Sequence, residues 1–112
     1  MKIVDSSVPK EEILSKHNHF FKNMIKAVLD IKKEVIALDG ELHADLEGLL
    51  IEAGSKQEDL WGINLYLRKK PKEKIEYTAL INIRPSQDNC TMEVESSEIR
   101  KKIEKIVDRL ID

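Results

Sequence analysis

The residues best suited to chemistry lie in and after an acidic stretch. His43, Asp45 and Glu47 come first, and Asn64, Tyr66, Asn82 and Arg84 follow. The periodicity after Gly40 predicts a helix from about Ala44, so the first group sits where a helix offers unpaired N–H groups and partial positive charge. An arginine fork can hold a carboxylate or phosphate through two parallel hydrogen bonds. If the strands carrying Asn64, Asn82 and Arg84 turn their polar face toward that helix, then His43, Asp45, Asn64, Asn82 and Arg84 form a site for a small polar or anionic ligand. A protein partner is the other occupant expected of such a binding domain. The enzymatic alternative is a hydrolase-like or metal-assisted activity, with His43 and Asp45 working beside Arg84 as catalytic candidates. The structural account of the same residues is simpler: the carboxylates complement the helix dipole, His43 caps, and Arg84 pairs with a nearby carboxylate.

Other chemistries find less support. His17, His19, His43, Asp45 and Cys90 are all able to ligate a transition metal, but neither C-x-x-C nor H-E-x-x-H is present, so no metal and no cofactor are expected. Cys90 lies in a polar loop without a motif to activate it, and Ser86 lacks the G-x-S-x-G context. A formal charge of -2 gives no general affinity for phosphates, which makes nucleic acid an unlikely partner. The charge is unevenly spread. Seven carboxylates stand between Asp39 and Asp59 against Lys56 alone, whereas Arg68 to Lys74 holds five basic residues against Glu73. The basic run could meet the acidic one on a second copy, so a homo-oligomer is possible.

The elements that must position these residues follow from periodicity. Lys2 to Val4 predicts a short strand, and Ser6 or Ser7 is placed to cap a helix with Pro9 in its first turn. Met24 to Ile31 and Glu34 to Leu38 predict a hairpin joined by Lys32 and Lys33. Leu46, Leu49, Leu50 and Ala53 then mark one face of the central helix, with Gly54 as its left-handed terminus. Ser55 and Glu58 have capping-box spacing. Trp61 to Leu67 and Ile75 to Arg84 alternate as a second hairpin, with Asn82 and Arg84 on its outer face and Trp61 in the core. From Ser96 or Ser97 a last helix carries Ile99, Ile103, Ile106, Val107 and Leu110 on one side. The order β-α-β-β-α-β-β-α predicts an α+β fold: a mainly antiparallel sheet of four to five strands with about three helices packed on one face.

At 112 residues the chain is the size of one domain and long enough for a core without disulfides. A single cysteine and the absence of an apolar N-terminal segment predict a cytoplasmic protein. No apolar run approaches the ~20 residues that span a bilayer, so no membrane partner is expected. The segments GELHAD (Gly40 to Asp45), GSKQEDLWGINLY (Gly54 to Tyr66) and INIRPSQ (Ile81 to Gln87) resemble those of a small family of uncharacterised prokaryotic proteins, known as a domain of unknown function. The resemblance covers nearly the whole chain. It implies one domain and brings no activity, substrate or cofactor with it.

Overall fold

A computed structural model describes residues 1–112. Five strands form one antiparallel sheet in the order β1-β3-β2-β4-β5, where β1 is Lys2–Val4, β2 Ile25–Asp30, β3 Val35–Leu38, β4 Leu60–Leu65 and β5 Ile75–Glu76. Three helices complete an α+β fold: α1 (Lys10–Lys16), α2 (His43–Glu52) and α3 (Ser97–Leu110). None is long and apolar enough to cross a membrane.

The helices divide between the two faces of the sheet rather than sharing one. Ala27, Leu29, Ile36, Leu38, Trp61 and Ile63 pack with Ile13 of α1 and with Ile103, Ile106, Val107 and Leu110 of α3. Their strand neighbours Val28, Ala37 and Leu60 point the other way and receive Leu46 and Leu50 of α2. The reason is that β2, β3 and β4 are apolar on both sides, which requires cover on both. Trp61 is therefore buried in the core opposite α2, not beneath that helix as its neighbourhood in the sequence suggests. Each fully buried aliphatic side chain contributes about 1.5–3 kcal/mol through removal of its surface from water.

The first hairpin closes with residues 31–34 rather than a two-residue turn. Asp30 makes this possible without glycine: its Oδ1 accepts the Lys32 and Lys33 N–H groups at 2.9 and 2.8 Å, and Glu34 adopts the left-handed conformation at φ 58. The other carboxylate oxygen of Asp30 takes the Ser55 hydroxyl at 2.6 Å, so Ser55 is withdrawn from the expected capping box. The helical turn itself survives as a short 3-10 segment, Gln57–Asp59. Helix α2 ends as its glycine predicts. Gly54 lies at φ 103, its N–H reaches Ile51 O and the Ser55 N–H reaches Leu50 O, a Schellman closure. The last helix also starts as expected, with Ser96 Oγ accepting from Ile99 N.

The second hairpin departs most from expectation. Its return strand ends after Glu76, and residues 77–87 leave the sheet through two 3-10 turns, Leu80–Asn82 and Pro85–Gln87. Asn82 explains the departure. Its Oδ1 accepts from Gly62 N at 2.8 Å and its Nδ2 donates to Gly62 O at 2.9 Å, so one side chain supplies the bonds that a continuing strand would have made to β4. Asn82 is consequently 0% exposed, not on an outer face, while Leu80 is 70% exposed.

Candidate functional site

The departing segment leaves an opening beside β4, and the N-terminus of α2 borders it. Gly62 makes the close approach possible: a Cβ there would stand 2.6 Å from Ala79 Cβ and 3.2 Å from His43 Cδ2. The result is a groove of about 390 Å³. Leu42, Ala79, Leu80, Ile81 and Met92 form its apolar walls, with Lys26, His43, Asn64 and Thr78 supplying the polar groups. Leu42, Leu80 and Met92 are exposed large hydrophobic residues that gather around this one opening. A modest apolar cavity with a few convergent polar groups is the usual form of a small-molecule site.

His43 is the first residue of α2, and Leu42 before it provides no side-chain cap. Its Nε2 lies 2.8 Å from Ile63 O. A carbonyl can only accept, so Nε2 carries the proton and Nδ1 of the neutral ring holds a lone pair. The Nε2–Cδ2 edge faces β4, which places Nδ1 on the ring's opposite edge. Burial pushes the pKa of His43 below the ordinary histidine value. The Ile63 carbonyl favours the proton, the charge of Lys26 opposes it, and the Asn64 side chain favours it, with a net lowering.

Asn64, on the next turn of the pleat, donates Nδ2 to Glu76 Oε1 at 2.7 Å and to Thr78 O at 3.3 Å. Its Oδ1 is buried and has no partner. Lys26 sits across the strand pair from Asn64 and rests 5.0 Å from the Phe21 ring centroid. Sequence reasoning passed over Lys26. A lone cation between Ile25 and Ala27, in a strand otherwise buried, was the available signal.

The remaining candidates go elsewhere. Asp45 is exposed and faces a separate groove with Met1, Gly48 and Glu52. Tyr66 turns to Glu76, 3.3 Å away. Besides bracketing Gly62, Asn82 donates to Met92 O at 3.1 Å. Arg84 donates to Ile81 O, Gln57 O, Gln87 Oε1 and Leu60 O and stacks 4.6 Å over the Trp61 ring, so its fork is consumed by the fold. Burial depresses its pKa, and the nearby Glu47 carboxylate opposes that effect. His43 and Asn64 thus share a groove, and the three residues considered for catalysis do not assemble: His43 meets a carbonyl instead of a carboxylate, with Asp45 and Arg84 outside the groove.

The metal-capable residues are also dispersed, and no three His, Cys, Asp or Glu side chains cluster as a cation would require. His19 is tied to Asp39, whose Oδ1 accepts the His19 N–H at 2.8 Å and whose Oδ2 meets its Nδ1 at 2.5 Å. Burial alone would raise the Asp39 pKa; the His19 hydrogen bonds and charge, with help from the N-terminal amine, outweigh it and bring the carboxyl below its ordinary range. Cys90 is exposed.

No curated protein and no solved structure matches the chain significantly. Residues 2–110 do match the profile of a family described as protein of unknown function, DUF5674, and the chain belongs to that family.

Proposed function

We propose that the protein binds a small ligand in the groove between the start of α2 and residues 78–81, and that this groove replaces the wider five-residue site suggested by the sequence. The observation that carries the reading is the pairing of an exposed apolar rim with polar groups whose valences the fold leaves open. Leu42, Leu80 and Met92 give the ligand's body a surface that water wets poorly, and His43 and Lys26 give its polar end a fixed place beside Asn64. An anionic group suits Lys26 and the uncapped start of α2. A side chain presented by a protein partner would use the same rim. The short first helix, the acidic α2 and a cytoplasmic setting are compatible with either source of ligand.

A thermal-shift and NMR screen of amphipathic fragments tests the proposal. A ligand at a hundredfold excess over its Kd stabilises the folded chain by about 2.7 kcal/mol. Its resonance changes should centre on His43, Asn64 and Leu80. Lys26→Ala should weaken binding, whereas Arg84→Gln should leave affinity unchanged despite its effect on the fold. Ligands that cluster instead around Arg84 or Asp45 would refute the proposed location.

A further inference from the structure

We infer that the end of the sheet where β2 begins and β4 ends is a binding surface for single-stranded nucleic acid. The antiparallel register places Ile25 opposite Leu65, so the residues before the one and after the other share that end. An Arg68 Nη1–H reaches Lys22 O at 3.4 Å, which carries the juxtaposition past the last paired residues. Residues 20–26 and 66–72 thereby gather six cations: Lys22, Lys26, Arg68, Lys69, Lys70 and Lys72. None of the six takes part in an ion pair, whereas Lys74, further along the same tip, is held by Asp108. Of the neighbouring carboxylates, Glu76 is occupied by the Asn64 amide and the Tyr66 hydroxyl, which leaves Glu73. The formal charge of -2 averages this surface with the acidic stretch from Asp39 to Asp59 and so conceals it.

Charge alone does not choose the partner, but the rings beside it do. The basic run from Arg68 to Lys74 contains no aromatic residue, yet the fold brings Phe20, Phe21 and Tyr66 to it, three of the chain's five aromatic side chains. Phe20 is 49% exposed. Lys26 Nζ stands 5.0 Å from the centroid of the Phe21 ring, and Lys69 Nζ stands 4.5 Å from that of Tyr66. Glu76 Oε1 joins Tyr66 to Asn64, whose partner across the strands is Lys26, so the two cation–ring pairs are neighbours. Each pair sets an ammonium for a phosphate beside a ring for a base, the combination by which single strands are held without regard to sequence. A duplex keeps its bases stacked on one another and leaves the rings unused. An acidic protein segment answers the charge but has no base to stack. The surface adjoins the groove through Lys26 and does not require the groove to be filled.

The experiment follows the fluorescence anisotropy of a labelled oligothymidylate as the full chain is added, at about 50 mM and about 200 mM salt. Contact with about four phosphates should weaken binding about fiftyfold between the two conditions. Unlabelled oligothymidylate should compete about tenfold better than the same strand in a duplex, or than polyglutamate, the difference expected for one stacked base. Phe20→Ala should lower affinity about tenfold for the same reason. Lys70→Gln combined with Lys72→Gln should flatten the salt dependence. Equal competition by the duplex would overturn the inference in favour of phosphate contacts alone, and equal competition by polyglutamate in favour of an acidic protein partner. No saturable binding at the lower salt would overturn it outright. Undiminished affinity in Phe20→Ala would overturn the role of the rings, and an unchanged salt slope in the lysine variant would remove the tip from the site. The competition series on the unaltered chain decides the matter even if a variant does not fold. Failure here leaves the groove reading standing, because fragment binding tests that reading separately.

Discussion

The two polar clusters that flank β4 use similar residues to opposite ends. The Asn82 and Arg84 side chains spend their donors on the chain itself: Asn82 brackets Gly62 and donates to Met92 O, and Arg84 ties Ile81, Gln57 and Leu60 together. Around His43 and Asn64, one nitrogen and one oxygen are left without partners next to an unpaired lysine. The first cluster is a bracket that ends a strand and turns the chain. The second has unused hydrogen-bonding capacity, and its surroundings are apolar. Residue type does not separate the two; what does is that Asn82 and Arg84 direct their side-chain donors to backbone carbonyls that turn the chain, whereas His43 faces a groove.

The comparison can be broken most forcefully at Asn82. Asn82→Ala leaves Gly62 N–H and Gly62 O without their side-chain partner in a buried setting and removes one of the two donors to Met92 O, which keeps Ala79 N–H; it should cost about 3–5 kcal/mol in urea unfolding. A loss below about 1 kcal/mol would show that water or a continued strand replaces the bracket readily. Next in size is Gly62→Ala, at about 1–3 kcal/mol for overpacking against Ala79 and Ile81. Because the new methyl group would also press on the His43 ring, this variant should lose groove ligands while keeping its fold. Retained ligand binding would mean that the ring position is not set by Gly62.

The smallest effect on stability belongs to His43 and is read through pH. The folded chain resists protonating His43, so below the ordinary histidine pKa of about 6.5 the unfolded chain binds a proton that the folded chain does not. Stability therefore falls as pH drops from that value toward the lowered folded pKa, and is level above it. His43→Gln should flatten this part of the profile. A second loss, in the acid range below the ordinary carboxyl value, belongs to Asp39, whose folded pKa is lowered, and should persist in the same variant. An unchanged profile in His43→Gln would assign the slope near neutrality to another group.

Much of this architecture was legible from the residues. Leu46 and Leu50, the stripe from Ile103 to Leu110 and the alternation of Trp61, Ile63 and Leu65 all report their buried faces correctly. The two-sided packing was less visible because Val28, Ala37 and Leu60 also belong to the strands' second face, and an unbroken apolar run does not say which helix covers it. Ile75 to Arg84 misleads for a specific reason. Its alternation continues after the strand has ended, since a single asparagine side chain can do the work of a neighbouring backbone. Of the site, His43 and Asn64 were accessible from type and position. Lys26 and the rim of Leu42, Leu80 and Met92 required the third dimension, because they come together from β2, the start of α2 and two loops.

The most direct test of an open groove beside a closed bracket is the long-range imidazole 15N–1H spectrum of His43 at pH 7.5, recorded with and without a saturating amphipathic fragment from the ligand screen. The account predicts a neutral ring protonated at Nε2, an Nδ1 resonance that moves on binding, and an Asn82 side-chain amide that stays where it was. A ring protonated at Nδ1 in the free protein, or a response to the fragment at Asn82 equal to that at His43, would contradict it.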